Sequence, residues 1–184
     1  MDLRSFRWRW HAAFLGVLIA VLSATASGAS AAPGGPPNGI YTCAWISANP
    51  AAALQAHVTC DPATFFAAMA GKLPGEPAPS AQVRRLALAR RASTVCPFVP
   101  NGYRVGQGVF AWSDYFLTTY FNWWGTYSPA DYTWYIQETD GTNIVHGNDY
   151  DTSLHSQNGL ANLYYRWGAQ NHSSTAQEWQ ICTQ

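Results

Sequence analysis

The sequence predicts a mainly β fold (α+β overall), an antiparallel β-sandwich or barrel of about six to seven short strands, with an inserted α-helical hairpin and two disulfides. From Tyr103 onward, segments rich in β-branched and aromatic residues alternate with turn-forming residues, which is typical of such a fold. Residues 101–184 hold 18 Phe, Tyr and Trp, whereas residues 33–100 hold 5. Most of the folded body is therefore expected in the C-terminal half.

The N-terminal segment, residues 1–32, has the three-part pattern of a secretory signal peptide. A basic stretch with three arginines precedes the apolar run Ala12–Ala26, and small residues follow with two A-x-A sites. The run is shorter than the roughly 20 apolar residues that span a bilayer. We expect removal of this segment between Ala26 and Ala32, an exported mature chain, extracellular or periplasmic, and no membrane span in it.

The mature chain is expected to be a single domain over residues 40–184, after a flexible N-terminus at residues 33–39. Ile40–Ser47 has the composition of a strand, and residues 61–92 are expected to form the helical hairpin. Its first helix begins at Asp61-Pro62, which combine an N-cap oxygen with a proline at the first helical position. Residues 103–184 are expected to form the antiparallel β body.

An even number of cysteines in an exported chain indicates disulfides. An antiparallel helical hairpin would bring together Cys60, before its first helix, and Cys96, after its second. We therefore expect a Cys60–Cys96 bridge, with Cys43–Cys182 joining the first and last strands. The second pairing considered is Cys43–Cys60 with Cys96–Cys182.

Charged residues make up only 11% of the chain, and they are unevenly distributed. Without residues 1–32, seven basic and nine acidic side chains remain, a net charge of −2. The aromatic half alone has a net charge of −5, with two arginines against seven acids. Nucleic acid binding requires clustered Lys and Arg, so we expect no nucleic acid partner. An extracellular glycan or protein is the expected partner.

Alternation along two strands divides the aromatic residues into two sets. Tyr132, Trp134 and Ile136 share one face, as do Leu163, Tyr165 and Trp167, and these faces are expected in the core. The opposite faces carry polar residues around a single tyrosine. A flat ring beside hydrogen-bonding side chains suits a sugar. The hypothesised ligand-binding residues are Tyr135, Tyr164, Arg166, Asn162, Gln137 and one of the adjacent pair Trp123 and Trp124.

The densest polar stretch is His146–Asn158, and it supports two weaker hypotheses. Asp149 and Asp151 resemble the opening of a calcium loop, although Leu154 stands where an EF-hand requires glycine. The His146–His155 loop is also a candidate hydrolytic site. Familiar catalytic and cofactor-binding motifs are absent, so no cofactor and no catalytic residue are assigned. Asn171-His172-Ser173 is an N-glycosylation sequon.

These observations favour an exported, non-catalytic binding protein with an aromatic and polar sheet face, and carbohydrate is the expected ligand class. One alternative is a small secreted antagonist, an inhibitor or antibacterial protein that binds a protein target. The other is a small secreted hydrolase that uses the His146–His155 loop. The sequence favours a binding protein over an enzyme without excluding either.

Overall fold

The computed structural model describes residues 34–74, 98–99, 104–138 and 144–183. The chain divides into two compact units, Met1–Ala31 and Ala32–Gln184, and all described residues belong to the second. Three predicted features lie outside the described residues. They are the signal peptide, the second helix of the hairpin and the environment of Cys96.

The segment after the mature N-terminus is mostly helical, so the predicted strand Ile40–Ser47 is wrong beyond its first two residues. Strand β1 covers Ile40–Tyr41, and helix α1 covers Cys43–Ala48. Thr42 ends the strand because its hydroxyl accepts a hydrogen bond from the amide of Trp45 at 3.3 Å and caps the helix. Helix α2 follows at Pro50–Gln55, and strand β2 at Val58–Thr59.

The disulfide of the described residues joins Cys43 to Cys60, and the expected pairs Cys60–Cys96 and Cys43–Cys182 are therefore wrong. Because α1 and α2 turn the chain back on itself, the ends of this short segment lie 5.6 Å apart between Cα atoms. Cys182 is also disulfide-bonded, to a partner outside the described residues.

Helix α3, Pro62–Met69, begins where the sequence predicts the first helix of the hairpin. The carboxylate of Asp61 accepts hydrogen bonds from the amides of Ala63 and Thr64 at 3.2 and 3.0 Å. The hydroxyl of Thr64 also donates to this carboxylate at 2.7 Å, and this bond, followed by the two amide bonds, lowers the pKa of Asp61 below its usual value. The helix ends at Ala70, and Gly71 follows with a φ of 65°.

The rest of the described chain is mostly antiparallel strand, which confirms the mainly β prediction. The strands are β3 (Phe98–Val99), β4 (Arg104–Val105), β5 (Phe110–Trp112), β6 (Phe116–Gly125), β7 (Tyr132–Glu138), β8 (Ile144–Asp149), β9 (His155–Asn171) and β10 (Trp179–Thr183). Across all described residues, the one parallel strand pairing joins β1 to β4.

Strand β9 connects two layers of sheet. Its first half pairs with β6, which continues to β10 and β3. Its second half lies between β7 and β5, which continue to β8 and β2. The layers face each other, since Trp123 of β6 lies 4.8 Å from Trp134 of β7 between ring centroids. Within the described residues the strands do not close into a barrel.

A wide bulge interrupts β9 near its middle. Asn158 pairs with Tyr120 and Leu163 with Thr118, so four residues of β9 lie opposite Thr119 alone. The bulge begins at Gly159, which has a φ of +76°. Extra residues on one strand bend it and increase its twist, and this bulge separates the two halves of β9.

Two apolar clusters hold the fold together. The larger cluster lies between the layers and contains Tyr132, Ile136, Tyr165 and Trp167, as the strand alternation predicts. The smaller cluster lies between α3 and the outer face of the second layer, and its buried members are Phe65, Ala68, Met69, Phe110 and Trp112. Among the described residues, no helix is long and apolar enough to cross a membrane.

The close packing of α3 predicts the effect of Gly168→Ala. A Cβ at residue 168 would lie 2.8 Å from the sulfur of Met69 and from two ring carbons of Phe65. Because the helix must then move away from the sheet, the free energy of unfolding should fall by about 1–3 kcal/mol in chemical denaturation. The matched control is Gly34→Ala, where nothing lies within 4 Å of the added carbon. An equal effect of both substitutions would contradict the packing argument.

The register of the last strand predicts the second disulfide. Phe98 lies opposite Gln180 and Val99 opposite Trp179. Cys96 is outside the described residues, and we predict from this register that it pairs with Cys182. We expect peptide mass spectrometry without reduction to find a Cys96–Cys182 peptide beside the Cys43–Cys60 peptide. Recovery of a Cys60–Cys96 peptide instead would show that the predicted Cys96–Cys182 disulfide is wrong.

Candidate functional site

The residues hypothesised to bind a ligand on β7 and β9 are mostly buried. Gln137, Tyr164 and Arg166 expose 2%, 9% and 3% of their surfaces. Tyr135 is half-buried, and its ring lies 5.2 and 5.5 Å from the rings of Phe65 and Phe66 of α3. Burial also raises the pKa of its hydroxyl. Helix α3 therefore covers much of the face that the sequence alone left open.

Arg166 contributes to this covering. Its guanidinium donates a hydrogen bond to the carbonyl oxygen of Ala68 in the last turn of α3. The same group lies over the ring of Tyr115, 3.8 Å from the centroid. A cation at a helix C-terminus interacts favourably with the last carbonyls, so this arginine joins the helix to the sheet.

The three other candidate positions on β6 and β9 lie apart from that face. Trp123 is in the core with 1% of its surface exposed, whereas Trp124 is half-buried. Their opposite orientations agree with strand alternation. Asn162 belongs to the bulge of β9, and its side chain lies outside the described part of the chain.

A polar cluster forms where β8 ends and β9 begins, within the predicted polar stretch. The imidazole of His155 lies between two carboxylates, with Nε2 3.0 Å from Oδ1 of Asp151 and Nδ1 3.5 Å from Oδ1 of Asp149. The indole N–H of Trp123 donates to Oδ2 of Asp149 at 3.4 Å. The rings of Trp123 and His155 stack 6.0 Å apart between centroids. A protonated imidazole can donate to both carboxylates at once.

The two carboxylates of this cluster differ in exposure. The side chain of Asp149 is 13% exposed, next to the buried Tyr132, whose hydroxyl pKa is raised by burial and by the Asp149 charge. The side chain of Asp151 is 58% exposed. Hydrogen bonds from the amide of Ser153 and from His155 lower the pKa of Asp151. Its carboxylate therefore stays ionised at a lower pH than that of an ordinary aspartate.

His146 does not join this cluster. It precedes Asp149 by an odd number of residues, so the two side chains lie on opposite faces of β8, and its ring lies 6.0 Å from that of Tyr135. The hydrolytic group His146, Asp149 and His155 is thus not assembled in the structure. Among the described residues, no group of three or more His, Cys, Asp or Glu side chains is placed to hold a metal ion.

The loop between these strands carries the most exposed large apolar side chains of the described chain. Tyr150 is 73% exposed and Leu154 63%. Sequence reasoning missed both because they lie in a turn-rich loop, where strand alternation does not apply. A signal was present, since Tyr150 and Leu154 are the only large apolar residues in the sequence from Gly147 to Asn158.

The sequon residue Asn171 is enclosed. None of its surface is exposed, and its amide nitrogen donates to the carbonyls of Val105 and Thr175 at 2.9 and 3.0 Å. Its side-chain oxygen accepts from the amide and hydroxyl of Ser173 at 3.0 and 2.8 Å. The side chain therefore closes the turn after β9 and has no room for a glycan.

No protein-family model, no curated protein and no solved structure matches this chain. The functional conclusion therefore rests on the geometry of its own residues.

Burial of Asn171 predicts that the folded protein carries no N-glycan. A glycan attached before folding would keep Asn171 in solvent and break the four hydrogen bonds of its side chain. Intact mass spectrometry of protein secreted from a eukaryotic host should show the unmodified mass for wild type. A folded product with an added glycan mass, absent in Asn171→Gln, would contradict this expectation.

Proposed function

We propose that this protein is an exported, non-catalytic carbohydrate-binding protein whose ligand surface is the β8–β9 loop. This loop surface comprises Tyr150, Asp151 and Ser153, and Leu154 lies beside it on the same loop. The observation that carries the proposal is the 73% exposed ring of Tyr150 directly between two aspartates.

The ring supplies the apolar part of sugar recognition. A pyranose presents a C–H face that an exposed aromatic ring covers, with the hydroxyls left at its edge. Large apolar side chains are usually buried, so a tyrosine this exposed is a candidate contact residue. The face formed by Tyr135 and Tyr164 is the less favourable location, because α3 packs against its centre.

The carboxylate of Asp151 supplies the polar part. It is exposed, and its lowered pKa keeps it an acceptor for sugar hydroxyls at neutral and mildly acidic pH. Its orientation is set by Ser153, whose amide and hydroxyl donate to its two oxygens at 3.0 and 3.1 Å. A carboxylate held in this way loses little conformational freedom when a ligand binds.

The loop is anchored on the rigid core. His155 holds Asp151 on one side and Asp149 on the other, and Trp123 contacts both His155 and Asp149. Binding groups carried by a loop between packed strands are placed more accurately than those on an unsupported segment. This anchoring supports a preformed binding surface.

Export is part of the proposal. The N-terminal pattern predicts a signal peptide, and the Cys43–Cys60 disulfide is compatible with an oxidising compartment outside the cell. Carbohydrate is abundant on cell surfaces and in extracellular matrices, so both parts of the proposal refer to the same environment.

A protein ligand is the second candidate, and Leu154 favours it. This side chain is 63% exposed, close in sequence to Tyr150, and it gives the loop an apolar component that a sugar does not need. An aromatic and aliphatic pair with a polar surround is typical of the anchors of protein interfaces. On this interpretation the chain is a small secreted antagonist that binds a protein target.

The proposal predicts that Tyr150→Ala weakens binding to the recognised glycan by about tenfold or more, because the ring contact is lost. Tyr150→Phe should retain most of the affinity. Binding is measured by glycan array and by retention on insoluble polysaccharides, with tryptophan fluorescence to confirm folding. Because the side chain of Tyr150 is exposed, the free energy of unfolding should change by less than about 0.5 kcal/mol in either variant.

The matched control is Leu154→Ala, which should leave glycan binding unchanged. If the ligand is a protein, both alanine substitutions should weaken its binding, and the wild type should bind no glycan. Failure of the wild type to bind any glycan or polysaccharide would overturn the carbohydrate proposal.

A further inference from the structure

The imidazole of His155 lies between two groups that accept hydrogen bonds and cannot donate them. Its Nε2 atom lies 3.0 Å from Oδ1 of Asp151, and its Nδ1 atom lies 3.5 Å from Oδ1 of Asp149. An ionised carboxylate has no proton to donate, so each ring nitrogen needs an N–H of its own to make a favourable contact. The protonated imidazolium carries both N–H groups, whereas the neutral ring carries one. The cluster is therefore arranged for the charged form of the histidine.

The neighbouring elements are compatible with this positive charge. From β6 the ring of Trp123 stacks on the imidazole, with 6.0 Å between centroids and 25° between planes, and an aromatic face attracts a cation. From β7 the hydroxyl of Tyr132 lies next to Asp149, and burial followed by the Asp149 charge raises its pKa, so it stays neutral. Among the described titratable groups around the ring, His155 is thus the one that changes charge between pH 5 and 8.

Loss of the proton leaves one N–H for two carboxylates. The side chain of Asp149 is 13% exposed and that of Asp151 is 58% exposed, so water solvates the second carboxylate far better than the first. A buried charge that loses a hydrogen-bond partner costs more free energy than an exposed one. The remaining N–H is therefore most stable on Nδ1, facing Asp149. The lone pair of Nε2 then faces Oδ1 of Asp151, and the two repel each other.

We propose that His155 is a positioning residue that makes the loop surface sensitive to pH: its protonated ring holds Asp151 and the adjacent Tyr150 in place, and its neutral ring releases them. The inference rests on the proposed function, since the loop surface is the proposed ligand site. The contact with Asp151 is present below the pH at which the ring loses its proton and is lost as the pH rises. Glycan binding is therefore tighter in mildly acidic solution than above neutral pH.

The amide of Ser153 reports the state of the loop without any ligand, because it donates to Asp151 at 3.0 Å. NMR of the wild type between pH 5 and pH 8 should show the amides of Ser153 and Tyr150 following one titration curve. In His155→Gln the side chain at position 155 carries no charge, so the curve should be flat. No change in the wild type, or a change that persists in His155→Gln, overturns the proposal.

The matched control is His146→Gln. His146 is an exposed histidine on the opposite face of β8, with its ring beside that of Tyr135. Its replacement removes one titrating imidazole from the same hairpin without touching the cluster. The Ser153 curve should therefore be unchanged in this variant. Loss of the curve in His146→Gln would assign the pH response to the wrong histidine and contradict the proposal.

A second variant tests the repulsion at Nε2 with the histidine in place. Asp151→Asn keeps the shape of an exposed side chain, so the fold should be retained. An amide can accept from a protonated ring nitrogen or donate to a bare one, and it therefore suits both states of His155. The change in the Ser153 amide shift between pH 5 and pH 8 should fall to about half of the wild-type change or less. An undiminished change contradicts the proposed release of Asp151.

The consequence for binding is measured separately. The affinity of the wild type for the recognised glycan should be about threefold or more higher at pH 5.5 than at pH 8, and the two affinities should be equal in His155→Gln. Equal wild-type affinities at the two pH values contradict control of the surface by His155. The NMR curve needs no glycan, so failure to bind any glycan overturns the carbohydrate proposal and leaves the loop titration to be judged by its own result.

Discussion

Backbone hydrogen bonding along β9 is the constraint on which the rest of the structure depends. The buried N–H and C=O groups of a strand need hydrogen-bond partners. The second half of β9 finds them between β7 and β5, and the first half pairs with β6. Because both layers share this strand, its bend determines how they face each other. The bulge at Gly159–Asn162 supplies that bend.

The packing of α3 follows from the same arrangement. The second layer has an apolar outer face, formed by Phe110, Trp112 and Tyr135, that water would otherwise contact. Helix α3 covers it with Phe65 and Met69, and the missing side chain of Gly168 allows the close approach. Arg166 then bonds the last turn of the helix, so a cation in a nearly charge-free interior serves a structural role.

The proposed carbohydrate surface lies where this packing leaves side chains accessible, at the end of β8. There Tyr150 and Asp151 extend from a loop anchored through His155 to Trp123 in the core. Residues of such a loop are free to vary in chemistry, because the layers beneath them carry the stability.

The sequence by itself determined the features that depend on neighbours along the chain. It predicted the β body, the Asp61 cap of α3 and the alternation that buries Tyr132, Ile136 and Trp167. It also marked the polar stretch that contains Asp149, Asp151 and His155. These predictions succeed because strand alternation and helix capping involve residues only a few positions apart.

Only the tertiary structure decided which surfaces meet. Alternation places Tyr135 and Arg166 opposite the core, but it does not tell whether water or a helix lies there, and α3 lies there. The cysteine pairing failed for the same reason, since Cys43 meets Cys60 through two short helices, and the strand-like composition of Ile40–Ser47 concealed the first of them. Contacts between distant segments depend on how whole elements pack, and that packing is a property of the assembled fold.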